Sequence, residues 1–343
     1  MIHDRDHGRE AGNSLFRSLK VRAGNTLKPI VLPRWRGMQP LGDRITRARA
    51  VLVASAGESA RLVEQSALEA RLEALPEYNC LRSYGQLKPA LAAMEAELVA
   101  CHGAYLTNCI GLGLLLELIT SHEQRWCSDS LDPELKPDFA DSMHRVLDAV
   151  ERGGSKSTRM THDNYCKELA ICLHRLIPAG GQLIDPGSGL PRSLLVRGPL
   201  LSIPKKLSYV AIFCKGFHPF AEFHTHERMR HLFTPDGWEY CFRRLPAVFR
   251  SYPRLKGVLG SGWFFDPQLE TITANLSFLR EVSKRWGAVL VRGGVDPAAT
   301  EGALLMSQHR RDLHYQGRYQ PINYHIVAAK SRILAHARDI GLA

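Results

Sequence analysis

Six ionisable side chains of the kinds that hold metals or move protons fall within 14 residues: His218, Glu222, His224, His226, Glu227 and His231. If Phe220 to His226 forms a strand, Glu222, His224 and His226 share one face, because side chains alternate along a strand. A His-x-His pair with a carboxylate suits Fe, Zn or Mn. If the chain turns helical at Thr225, Glu227 and His231 stand four apart on one helix face. The predicted metal set is therefore Glu222, His224, His226 and His231. The same residues also serve without a metal. His224 or His226, oriented by Glu222 or Glu227, would deprotonate an amine or a hydroxyl. A third reading is a solvated turn rich in His. Asp236-Gly237 reads as a turn before a helix that begins at Trp238.

Two further stretches mix aromatic and polar groups. Gly260 to Asp266 joins a glycine-rich strand to Trp263, Phe264 and Phe265, the composition of a pocket wall or of core. Arg310 to Tyr319 is basic and aromatic, and its arginines suit a phosphate or a carboxylate. A solvated helix end explains that stretch equally well.

Four regions must position these groups. Residues 1–40 mix Gly, Arg, Asn and Pro without period and read as a basic arm. Residues 41–177 read as a helical domain. Its apolar positions recur at helical spacing (Ile45, Ala48, Val51 and Leu52, then Leu62, Leu68, Leu72 and Leu75), and the later half of Leu87–Ile119 is apolar nearly all round. Residues 178–204 carry ten Gly and Pro and read as a linker. Residues 205–343 alternate strand-like and helix-like segments, with strands predicted at 207–213, 220–226, 257–265, 288–292 and 322–328. The fold class expected is α+β, a helical region followed by a mixed-sheet α/β domain.

From Phe265 the order is a strand ending near Pro267, a helix over Leu276–Trp286, a strand after Gly287-Ala288, another helix, and a tyrosine near its end. This order resembles the second half of a GNAT acyltransferase over about residues 257–328. The resemblance implies a GNAT-like sheet and transfer of an acyl group from a CoA or acyl-carrier-protein thioester to an amine or hydroxyl. It implies Tyr315 or Tyr319 as proton donor to the leaving thiolate, and Arg310, Arg311 and Arg318 as contacts to the donor's phosphates. The family's glycine-rich pyrophosphate loop has no counterpart at Leu269 to Asn275, the position expected for it. The chain also resembles bacterial proteins.

Composition limits the alternatives. The chain has 343 residues, is 45% hydrophobic and 23% charged, and carries a net charge of +11. That excludes a disordered, collagen-like or coiled-coil chain. Basic side chains outnumber acidic ones 8 to 3 in residues 1–40 and 20 to 11 in residues 201–343, whereas residues 41–200 hold 17 against 20. A basic C-terminal region suits an anionic partner such as a phosphate-bearing cofactor, an acidic carrier protein or, less directly, nucleic acid, and it suits a non-catalytic binding protein too. The apolar run from Ile110 to Leu116, broken at Glu117, is shorter than the roughly 20 residues that span a bilayer. The absence of a signal-like h-region and of any C-x-x-C pair among eight cysteines points to a cytoplasmic protein with reduced thiols. No P-loop, Gly-x-Ser-x-Gly elbow or Rossmann fingerprint occurs.

Overall fold

The computed structural model describes residues 40–63, 68, 70–72, 84–152, 159–197, 202–305 and 307–342. Residues 1–39 of the basic arm, Leu75 and Cys80 lie outside them. The longer helices among the described residues are α1 Leu41–Ala56, α2 Leu87–Thr120, α3 Lys136–Glu151, α4 Asp163–Cys172, α5 Pro235–Ser251, α6 Phe278–Arg285, α7 Pro297–Leu305, α8 Gln308–Tyr315 and α9 Lys330–Asp339. Six strands form one mixed sheet: β1 Ile177–Ala179, β2 Gln182–Ser188, β3 Phe220–His224, β4 Gly257–Gly262, β5 Val289–Gly294 and β6 Asn323–Ala329. The α+β class expected from the sequence is what is seen.

The sheet order is β1-β2-β3-β4-β6-β5. All neighbours run antiparallel except β3 and β4, which are parallel and joined by α5 as the crossover helix. Thr234 caps α5 by accepting from the Gly237 amide at 3.1 Å, and Pro235 starts the helix where its missing N–H costs nothing. The helix buries Trp238, Cys241, Phe242, Leu245 and Val248 against the sheet.

α2 and its neighbours make the helical half. Tyr84–Thr120 is long and apolar enough to cross a membrane, beyond the short apolar run that the sequence displays. Gly103, at φ 75°, breaks its helical geometry. From Cys109 to Ile119 every residue is buried by the chain itself, against α1, α3 and α4, which is why this stretch is apolar nearly all round, Glu117 excepted.

The first part of the predicted linker, residues 178–188, belongs to a hairpin of the sheet. Ile177 to Ala179 pairs with Gln182 to Ile184, and all six of these residues are buried. Gly180, at φ 62°, and Gly181 make the two-residue turn that such a hairpin needs. Pro178 sits in the edge strand, where a missing donor is tolerated, and Pro186-Gly187 falls at a bulge between Asp185 and Ser188. One buried cluster therefore runs from Ala48 on α1 to Ala337 on α9 across the expected domain boundary.

Two further expectations change. Residues 207–213 are helical, within Ile203–Ser208 and Tyr209–Cys214, and lay Val210 and Cys214 on the sheet. The single helix expected between the strand after Gly287-Ala288 and the tyrosine is broken into α7 and α8, with Ser307 capping the second.

Candidate active site

Registered pairing between β3 and β4 is limited to Ala221↔Val258 and Glu222↔Leu259, and the unpaired ends of the two strands beyond it form a wedge. In sheets with parallel strands, ligands bind beyond the carboxyl ends of the strands, where neighbouring strands diverge. Strand alternation carries Phe220, Glu222 and His224 to one face, with Phe220 in the cluster that contains Leu259 and Val327. Asp185 on β2 lies opposite Glu222 in register. On the other side of the wedge, Ser261 on β4 pairs with His325 on β6, and the Ser261 hydroxyl donates to Asn323 Oδ1 at 3.3 Å.

His224 is the focus of this arrangement. Its Nε2 lies 3.8 Å from Asp185 Oδ2 and 3.9 Å from Glu222 Oε2. That nitrogen is buried and has no hydrogen-bond partner among the described residues. Burial, then the Lys167 ammonium, hold the imidazole down at about 4, so it is neutral at pH 7. Burial and the facing Asp185 push the Glu222 carboxyl up, against the Ser188 hydroxyl that donates to its Oε2 at 2.6 Å.

The helical half supplies the roof. The Tyr84 ring meets the His224 ring edge-on at 4.9 Å between centroids. Lys167 on α4 donates to the Thr225 carbonyl at 2.7 Å, tying α4 to the end of β3. Lys167 and Lys88 bracket Asp163 at 2.6 and 2.5 Å. Burial raises the Asp163 carboxyl, but these two cations outweigh it and leave it at about 2. Cys166 is buried beside Tyr84, and burial pushes its thiol up to about 12, so it is no nucleophile.

The residues predicted from sequence are only partly brought together. Glu222 and His224 meet, as expected of a strand face. β3 ends at His224, so His226 leaves the face and becomes an N-cap, accepting from the Arg228 amide at 3.2 Å. Its Nε2 sits 3.6 Å from Glu168 Oε1, a carboxylate also held by Arg228 at 2.5 Å. Glu227 is exposed and accepts from Asn164 Nδ2 at 2.9 Å. His231 is exposed. The four-ligand metal set thus does not converge, and among the described residues no group of three or more His, Cys, Asp or Glu is placed to hold a metal ion.

Around β4's carboxyl end the placements also divide. Tyr319 is buried, and its hydroxyl has no hydrogen-bond partner among the described residues. Tyr315 is 81% exposed. Arg310 is buried in the protein's own structure, donating to the Ala303 carbonyl at 2.5 Å and stacked over Trp263 at 4.7 Å. Arg311 donates to the Leu304 carbonyl at 2.8 Å, and Arg318 is exposed. Asp266, fully buried, accepts the Ile322 and Gln268 amides and fixes the entry to β6. Sequence reasoning missed Asp185, Ser188, Tyr84 and Lys167. A Gly-Gly turn flanked by apolar residues was the available signal for the hairpin that carries Asp185.

No family model matches the sequence, and no curated protein matches it. A crystal structure of an acyltransferase in complex with decanoyl-CoA is similar over 88% of this chain and 90% of its own, with a TM-score of 0.44 and 12% identity.

Proposed function

We propose that this protein is a GNAT-like acyltransferase that moves an acyl group from a CoA or carrier-protein thioester to an amine or hydroxyl. The observation that carries the reading is the wedge between β3 and β4, where His224 presents an unpartnered Nε2 beside the carboxylates of Asp185 and Glu222. The element order supports it as well. β4 is followed by α6, β5, the pair α7 and α8, and then β6, with Tyr319 between α8 and β6.

The donor's phosphates belong to the segment after β3 rather than to residues 269–275, because the crossover helix that starts at β3's carboxyl end is α5. That segment, 225–234, offers Arg230 as an exposed cation and His231 as an exposed imidazole. The glycine that follows it in the first turn of α5, Gly237, is already covered: a Cβ there would meet the Leu232 carbonyl oxygen at 1.9 Å. Side-chain charge, more than bare backbone, therefore supplies the grip in this reading.

In the transfer, His224 Nε2 takes the proton of the acceptor N–H or O–H as the freed lone pair attacks the thioester carbonyl carbon. Asp185 and Glu222 stabilise the imidazolium that forms. The C–S bond breaks, and the Tyr319 hydroxyl protonates the departing thiolate. Burial raises the Tyr319 hydroxyl's pKa, so it holds its proton until the thiolate appears beside it.

Calorimetry with CoA and acyl-CoA, and thioester turnover with a panel of amines, tests the reading. His224→Ala should lower kcat by about 10²- to 10⁴-fold with donor affinity nearly unchanged. Arg230→Ala should weaken donor binding. A wild-type protein that binds neither CoA nor an acyl-carrier protein defeats it.

A further inference from the structure

Away from the wedge, in the helical half, a polar cavity of about 570 Å³ opens among the His122–Ser128 helix, the end of α4 and the end of α5. Its walls include Ser121, Arg125, Asp129, His174, Arg175 and Tyr252. The volume lies within the range of small-molecule sites, roughly 300–1,000 Å³.

A hydrogen-bonded relay is built into its wall. His174 Nδ1 lies 2.7 Å from Asp129 Oδ2, and His174 Nε2 lies 2.8 Å from His122 Nδ1. The carboxylate fixes the proton on His174 Nδ1. His174 Nε2 must then accept, so His122 Nδ1 carries the second proton. Both imidazoles are buried, at 3% and 1% exposure, and burial lowers both below their ordinary range, that of His122 to about 4. Both imidazoles are therefore neutral at pH 7, and Asp129 Oδ2 is engaged by His174.

The backbone at this point is also unusual. His174 follows α4 at φ 56°, the left-handed conformation that glycine adopts without strain. The turn is closed by Arg175 N donating to Ala170 O at 2.7 Å. A histidine here accepts strain to place its ring between Asp129 and His122, and the turn brings Arg175 to the cavity. Arg125, from the facing helix, is oriented by Ser121 Oγ at 2.7 Å and by the Leu118 carbonyl. Tyr252 lies near Arg175 and Asp129, and burial pushes its hydroxyl up to about 12, so it remains a donor.

Two guanidinium groups and a protonated phenol line this space together with one carboxylate, Asp129, whose Oδ2 is held by His174. We infer that this cavity is a second ligand site, which binds a small metabolite through an anionic group, a carboxylate or a phosphate, held between Arg125 and Arg175. The relay is its rigid wall: it positions Arg175 and holds one oxygen of Asp129.

Calorimetric titration of the full chain with sodium phosphate, and separately with sodium succinate, at ionic strength fixed by chloride, tests this. Saturable one-to-one binding of either anion is expected, phosphate alone indicating a phosphate ester and succinate alone a carboxylate. Arg175→Gln should weaken it by roughly tenfold to a hundredfold. Ser130→Trp, which fills the exposed rim without removing a charge, should abolish it. His224→Ala should leave it unchanged, since that residue lies in the wedge. Absence of saturable binding of both anions overturns the inference. So does binding that Arg175→Gln and Ser130→Trp both leave intact in variants whose melting curves match wild type.

Discussion

Glu168 offers a measurable consequence of how α4 meets the loop after β3. It is 3% exposed and fully enclosed, with Arg228 at 2.5 Å and His226 at 3.6 Å. Burial pushes its carboxyl from 4.5 up to about 7, against the pull of Arg228 and Arg145. A carboxyl whose folded pKa is raised keeps its proton in the native state while the unfolded chain has released it. Its stabilising contribution is complete below pH 4.5 and is lost as pH rises to about 7. The rise from 4.5 to about 7, at about 1.4 kcal/mol for each pH unit, corresponds to about 3 kcal/mol across that window. Glu168→Gln removes the titration and keeps the shape. Urea unfolding of wild type and variant at half-unit steps from about pH 4.5 to about pH 8 gives the difference in stability. Wild type should lose about 3 kcal/mol relative to the variant over that range, and the difference should level off above about pH 7. A flat difference, or one that moves in favour of wild type as pH rises, would refute the assignment of a protonated, buried Glu168 and would mean that the Arg228 pair keeps it ionised.

Three other outcomes are expected from the geometry. Asp185→Asn keeps the acceptor for the Gly187 amide but removes a charge facing Glu222, so unfolding should need about 0.5 kcal/mol more while acyl transfer falls. Gly237→Ala drives a Cβ into the Leu232 carbonyl, so it should cost about 1–3 kcal/mol in stability and displace the 225–234 segment, read as a lower Tm together with weaker donor binding. Limited proteolysis should spare 177–188, because that Pro- and Gly-rich stretch is paired and largely buried in the sheet; early cleavage there would contradict the hairpin.

The helices and most strands were legible because their period is local. Leu91, Leu98 and Leu114 to Ile119 carry the pattern of a core helix, and Phe220 to His224 alternates as a half-buried strand should. Residues 207–213 misled because Tyr209, Val210, Ile212 and Phe213 favour strands by type, whereas tertiary packing selects a helix that buries Val210 and leaves Ile212 63% exposed. Residues 178–188 read as linker for a different reason. Gly and Pro mark turns and edges inside a sheet as well as breaks between domains, and Gly180-Gly181 is the former. Half of the site was visible through strand alternation, which put Glu222 and His224 together. His226 escaped that rule because the strand ends two residues earlier and the ring is taken by a helix cap. Tyr84, Asp163 and Lys167 could not be read at all, since they come from α4 and from the segment before α2, far away in sequence.

The pairing of Asp185 with Glu222 bears most directly on function. Like charges directly opposite on neighbouring strands destabilise a sheet, and here they lie in a buried stretch with one imidazole nitrogen about 4 Å from both. Packing alone would favour an apolar pair at this register, as at Ile184↔Phe223 one step away. Local structure absorbs part of the cost: the Gly187 amide donates to Asp185 at 2.8 Å and the Ser188 hydroxyl to Glu222 at 2.6 Å. Nothing in those two bonds requires two carboxylates, since asparagine and glutamine would accept both. What the second negative charge adds is a site that becomes more favourable when a positive charge arises between the two, on His224 or on an acceptor amine. On the function proposed above, the resting, neutral His224 lacks the charge that this pair would favour, which is the property expected of groups aimed at a reacting state rather than at the ground state.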